Sequence, residues 1–401
     1  MTYKLSKFIY ILFIFYIGYF QHVFFQVSNM PLALGIGMIL FLVLYIVITS
    51  EDARIVITKP IFIWVFFSFY LLLSGFFVAN NKIHLVNSLI TYIQILAMMI
   101  YIINISLIEG NNDFFLKTYC IYSIIYMITM LLWGYDGPGG RLQLSATSNP
   151  NSDGLTLLFG IFCILTLINP KKLKRLIGLL GIVGLFIYTI ILTGSRKSFF
   201  TAISLVLLYF IYVFKNYWKS YTIIKKIIST LILLIILTLI IILGKSYFYD
   251  SVIYQRLSTG SGYSLVKARS EWANEAIRLF NMNPIFGVGF NHYRILSIFG
   301  TYSHSTYLEL ISTTGIIGTL IYFSAYIVII YNLFYIYKKT KGTKSSIKAL
   351  LYLILMFIMI ILGTVVIHFY DIDENIMFSL MISFYYIEKI KLKQENKTKL
   401  D

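Results

Sequence analysis

Long apolar runs separated by short polar breaks fill this chain. A helix needs about 20 apolar residues to cross a hydrocarbon core of roughly 30 Å. Runs of suitable length lie near 8–25, 31–49, 61–79, 88–108, 114–133, 153–169, 176–193, 199–214, 227–244, 306–337, 349–367 and 376–390. The pattern predicts an all-α, polytopic membrane protein with about 12 transmembrane helices and both termini on one side. Prolines punctuate it: Pro31 and Pro60 open runs, Pro170 closes one, and Pro138, Pro150 and Pro284 fall between runs. The run 306–337 is too long for a single crossing, since a helix of that length reaches about 48 Å. Gly315 and Gly318 are its expected break points, with the first turns at the outer surface and the true span following. Gly178, Gly181 and Gly184 share one span and suit close helix packing.

Composition agrees: 59% of residues are apolar and 12% charged. The net charge of +17 would suggest nucleic-acid binding in a soluble protein. Here it follows membrane topology instead. With the N-terminus in the cytoplasm, the lysine-rich stretches 171–175, 215–226, 338–348 and 389–399 all face inward, and the exterior is nearly neutral. Lys4 and Lys7 precede the first run without a small-residue cleavage site, so a retained first helix is expected. The chain divides into spans 1–9 (1–244), an exterior loop with an amphipathic helix (245–305), spans 10–12 (306–390) and a cytoplasmic tail (391–401). Cys120 and Cys163 lie inside apolar runs and read as small core residues.

The exterior loops carry the chemistry-bearing residues. On a helical wheel, 264–281 gives an apolar face of Leu265, Val266, Trp272, Ala273, Ala276, Leu279 and Phe280, with Arg269 near its middle. An arginine there snorkels, meets an acid, or binds an anion; the last is expected, because a guanidinium matches phosphate bidentately. Arg196 and Lys197, in the tight turn Thr193–Ser198, break the positive-inside trend and form a second candidate. His304 can take a proton near neutral pH. Glu309, five residues on, is a carboxylate in an apolar run and needs a partner. Arg141 and Asn151 flank a turn-rich stretch. Arg256, Asn291 and Tyr293 complete the candidate substrate contacts. No metal-ligand pattern, DxD-type motif or Walker loop is present, so neither metal nor ATP is expected. Asp371, Asp373 and Glu374 could bind a cation, but read better as a solvated acidic loop.

Four stretches, in order, resemble the O-antigen ligase and Wzy-type polymerase superfamily. They are Arg141 with Asn149-Pro150-Asn151; Thr193-Gly194-Ser195-Arg196; Asn283-Pro284-Ile285-Phe286-Gly287-Val288-Gly289-Phe290-Asn291; and His304-Ser305-Thr306-Tyr307-Leu308 with Gly315 and Gly318. At Ser305 the family often has Asn, so no role carries over to that position. The resemblance implies a GT-C-like, metal-independent, inverting glycosyltransferase in the cytoplasmic membrane. Its donor would be a glycan on polyprenyl pyrophosphate at the extracytoplasmic face. Arg196 and Arg269 would hold the pyrophosphate, and His304 would sit beside the reacting centre. A flippase and a chain-length regulator would be partners.

Polymerisation of repeat units into O-antigen, capsule or exopolysaccharide is the expected outcome, and ligation of the glycan to lipid A–core or another acceptor the alternative. A polysaccharide flippase or transporter is the competitor from another class. It fits less well, because transporters show repeats and mid-span charges, whereas the anomalies here are in exterior loops.

Overall fold

The computed structural model describes residues 2–15, 55–137, 139–167, 173–217 and 261–397, with positions 222, 223, 226 and 230. The helices are α1 (Thr2–Phe15), α2 (Lys59–Val78), α3 (Lys82–Glu109), α4 (Asp113–Trp133), α5 (Pro150–Leu167), α6 (Leu173–Leu192), α7 (Arg196–Tyr217), α8 (Ser261–Met282), α9 (Tyr293–Leu296), α10 (Thr306–Lys339), α11 (Lys344–Leu362) and α12 (Ile372–Lys397). A short hairpin, β1 (Tyr135–Gly137) with β2 (Arg141–Gln143), joins α4 to α5. This is an all-α membrane protein.

Six helices among the described residues are long and apolar enough to cross a membrane: α2, α3, α4, α5, α10 and α11. Twelve spans were expected over the whole chain; among the described residues these six are supported, and α7, where another was expected, is not one of them. The runs near 31–49 and 227–244, the end of the first run and Arg256 lie outside the described residues. α12 is helical where a span was expected but is not one of the six. Asp373 and Glu374 stand in its first turn, and lysines crowd its other end. In α6 the apolar segment is the shorter Gly181–Leu192.

α2 shows the solvent for which these helices are built. Ile61, Trp64, Phe67, Leu71 and Gly75 are buried along one side. Phe62, Phe66, Phe69, Leu73 and Phe76 form an exposed stripe on another. So long a stripe of aromatic and aliphatic side chains would be costly in water and is favourable against lipid.

The chain forms two compact units. One comprises 1–13, 27–115 and 265–401; the other comprises 14–26 and 116–264. In the first, α3 packs on α12 and α10 packs on α2 and α11. At one end, Lys7 pairs with Glu109 at the close of α3, and Lys348 Nζ meets Asp113 Oδ1 at 3.1 Å. The opposite end of α3 meets the 290–292 segment, where His84 Nε2 lies 3.0 Å from Asn291 O. The lysine-rich 338–348 turn and the 283–305 segment therefore occupy opposite ends of this unit. In the second unit, α5 packs on α6 and α7.

Candidate functional site

α8 binds its neighbouring loop through a buried acid. Glu275 accepts two hydrogen bonds from Arg278, each at 2.8 Å, and one from Ile298 N–H at 3.1 Å. The Arg278 contacts hold the Glu275 carboxyl below the usual carboxylate range, against the opposing effect of burial. Ala276 and Leu279 are fully buried beside it and pack with Val288, Tyr293, Leu296 and Leu308. Arg269 is exposed, two turns before the buried Ala276. Glu275 is the buried charge of this helix among its described side chains.

The Asn283–Asn291 stretch interlocks with α10. Gly315 takes φ 66, ψ −170 inside that helix and kinks it where a break was expected. At the kink, helical hydrogen bonds are exchanged for loop ones. Val288 and Gly289 N–H donate to the Ser312 and Thr313 carbonyls, both at 3.0 Å. Ile316 and Ile317 N–H donate to the Pro284 and Ile285 carbonyls, at 2.9 and 3.4 Å. Tyr70 OH donates to the Thr314 carbonyl at 2.6 Å. The backbone groups freed by the kink are therefore satisfied, as a buried break requires. Both glycines are obligatory by space. A Cβ on Gly287 would lie 2.3 Å from Thr313 C, and one on Gly315 would lie 2.3 Å from Ile285 O.

The loop then leads to a strained turn. His304 has φ 57, uncommon for a residue with a side chain. Its ring lies between Trp272 and Tyr302, each 4.2 Å away between centroids. Tyr293, fully buried, donates its hydroxyl to Trp272 O at 2.8 Å and so braces that platform. Burial pushes the Tyr293 phenol up to about 12. The turn is held from several directions. Ser303 N–H donates to Glu309 Oε2 at 2.8 Å, and Ser305 Oγ donates to Gly363 O at 3.2 Å. Thr306 N–H reaches both Gly363 O and Val366 O at 2.8 Å. Asn291, also at positive φ, is buried, and its Nδ2 donates to Ser88 Oγ at 2.9 Å.

The 364–375 connection corrects the expected solvated acidic loop. Glu374 is fully buried and pairs with His368 Nδ1, while His368 Nε2 faces Met359 O at 2.6 Å. Asp371 Oδ1 accepts Glu374 N–H at 3.0 Å. Burial makes Glu374 and His368 partner each other, with Glu374 Oε1 left without a hydrogen bond among the described residues.

In the second unit, Arg141 is a strut. Its Nε donates to Thr193 O and its second amino group to Asn151 Oδ1, both at 2.8 Å. It thereby joins the hairpin, the start of α5 and the Thr193–Ser195 turn. Asp153 is buried nearby, accepting from Tyr126 OH at 2.6 Å, Ser148 Oγ at 3.0 Å and Leu144 N–H at 3.1 Å. Gly194, at φ 64, lets the chain turn directly into α7. Arg196 and Lys197 stand half-buried in that helix's first turn.

Residues 181–323 match the family model Wzy_C, described as O-antigen ligase. This match supports the O-antigen ligase and Wzy superfamily for the chain. No curated protein matches it. The Wzy_C segment contains Arg196, Lys197, Arg256, Arg269, Asn291, Tyr293, His304 and Glu309, and leaves out Arg141 and Asn151. Within its part of the first unit, Trp272, Tyr293, Tyr302, His304 and Glu309 come together around one turn. The sequence reading had passed over Arg294, whose guanidinium lies 5.8 Å from the centre of the Tyr302 ring. A cation two residues beyond the Asn291-His292 pair was the available signal.

Proposed function

We propose that this Wzy superfamily protein transfers a glycan from polyprenyl pyrophosphate to a sugar hydroxyl, and that it polymerises repeat units at the extracytoplasmic face of the cytoplasmic membrane. The observation that carries the reading is the His304 turn: a histidine in a strained backbone conformation, between two aromatic rings, within the Wzy_C segment. Strain of this kind persists only when its surroundings impose it, and it concentrates at functional sites.

Glycosyl transfer from a pyrophosphate breaks the bond from the anomeric carbon to oxygen and leaves negative charge on the lipid carrier. Fixed guanidinium donors stabilise that charge. Arg269 and Arg196 are our candidates for this role, with Lys197 and Arg256 as further cations. His304 would accept the proton of the attacking hydroxyl, or bind phosphate. The proposed reaction inverts the anomeric centre by direct displacement and uses no metal. Ligation to a different acceptor is the second reading, favoured by the description of the matched family as O-antigen ligase.

The test uses purified protein in lipid nanodiscs with a lipid-linked repeat unit and no nucleotide. Polymerisation yields a ladder of longer lipid-linked glycans. A single-step product that appears only when a second acceptor is added indicates ligation. Translocation without a new glycosidic bond refutes both.

A further inference from the structure

Glu309 is the buried carboxylate to which the proposed reaction has given no task. It is 0% exposed, one turn into α10. Oε2 accepts Ser303 N–H, but Oε1 has no hydrogen-bond partner among the described residues. Arg294 Nε and the Tyr370 hydroxyl oxygen are among the other buried atoms in that condition. Glu309 is hydrogen-bonded to Ser303, next to the Tyr302 ring that Arg294 covers. The charges of Arg294 and Glu309 act on each other, and both act on the Tyr370 phenol, which burial pushes well above its ordinary value. Arg294 lies over Tyr302, which in turn packs on His304. Arg294 and Tyr302 are only partly buried, so the cluster reaches the surface beside the His304 turn.

The inventory of these atoms identifies a ligand class. A carboxylate oxygen only accepts, a guanidinium N–H only donates, and a phenol does either. A phosphate brings acceptors and negative charge, which Glu309 repels. A sugar hydroxyl brings one donor and two acceptor lone pairs. It can give its hydrogen to Glu309 Oε1 while accepting from Arg294 and Tyr370. We propose that Glu309, Arg294 and Tyr370 form the subsite for a hydroxyl group of the acceptor glycan, beside the His304 turn. The proposal rests on the glycosyl-transfer reading.

The experiment measures donor and acceptor KM separately in nanodiscs, using lipid-linked repeat as donor and the repeat oligosaccharide as titrated acceptor. Glu309→Gln keeps an oxygen for Ser303 N–H but presents an amide donor where the hydroxyl needs an acceptor. Its acceptor KM is expected to rise roughly tenfold or more, and Tyr370→Phe to raise it roughly fivefold. Donor KM stays within about twofold in both, since neither change touches the pyrophosphate. Unchanged acceptor KM in both variants overturns the proposal, leaving the cluster a structural one. Donor and acceptor KM rising together also overturns it, because the whole turn has then moved. If Glu309→Gln does not accumulate, Tyr370→Phe and Arg294→Lys decide on the same criterion. Failure of the wild type to form any glycosidic bond refutes the glycosyl-transfer reading before any variant is made.

Discussion

Replacing Gly287 with alanine probes the exchange between the loop and α10. Gly287 has φ 74, and an added Cβ would lie 2.3 Å from Thr313 C and 2.4 Å from Thr313 O and Thr314 N. Those are backbone atoms of a packed helix and cannot swing aside. The loop must retreat, which loses the Val288 and Gly289 donations and strands Ile316 and Ile317 N–H. At about 0.5–1.5 kcal/mol net for each bond, the four together cost about 2–6 kcal/mol. The left-handed conformation adds about 1 kcal/mol for any residue with a side chain. The total approaches the whole stability of many domains, about 5–15 kcal/mol. Gly342 is the control: its φ is 86, and nothing lies within 4 Å of an added Cβ. Gly342→Ala therefore carries only the conformational cost. The assay heats detergent-solubilised protein and follows the monodisperse fraction by size-exclusion chromatography. Gly287→Ala should aggregate far below the wild-type temperature, and Gly342→Ala close to it. Equal losses in the two variants would refute the interlock.

The Glu275–Arg278 clasp should fail in acid. Its carboxyl has a depressed folded pKa, so its stabilisation is complete above the unfolded value near ~4.3 and is lost as pH falls through the folded value. Because Arg278 is half exposed, solvent keeps the effect modest. Limited proteolysis between α8 and α10 should increase on acidification in wild type and depend less on pH in Glu275→Gln; matching profiles contradict this. Arg141→Lys should destabilise the hairpin and Thr193 turn by about 1–3 kcal/mol, because an ammonium cannot reproduce both hydrogen bonds of the guanidinium fork. An unaltered melting temperature would remove the strut role. Arg269→Ala and Arg196→Ala should each abolish chain extension with membrane insertion intact, and wild-type ladders from either variant exclude that arginine. A pH–rate profile of His304→Gln that matches wild type argues for phosphate binding over proton transfer at that residue.

Features set by local pattern were legible in the sequence. The apolar runs within the described residues became helices, the break at Gly315 was visible as a glycine in an overlong run, and the order of motifs pointed to the superfamily that the match at 181–323 supports. What escaped depends on partners distant along the chain. The helical wheel singled out Arg269 from spacing alone, but burial of α8 is decided by Val288, Tyr293 and Leu308, which pack on it from outside the helix. Glu275 was not singled out in the sequence, because one of its partners, Ile298 N–H, comes from beyond α9. Glu374 looked solvated beside two other acids, yet it is buried against His368. Arg294 carried little local signal beyond its place after the Asn291-His292 pair, since the groups around it, Glu309 and Tyr370, lie on different elements.

The donations from Ser305 Oγ and Thr306 N–H to the Gly363 and Val366 carbonyls bear on where this protein can be divided. The Wzy_C segment ends at residue 323, within α10. The carbonyls that secure the His304 turn come from the far side of α11, well beyond that boundary. A fragment cut to the matched segment would keep His304 in its sequence but lose the anchors that hold its backbone in an unfavourable conformation. Grafting or truncation should therefore treat the connection after α11 as part of the same module, although sequence similarity stops short of it.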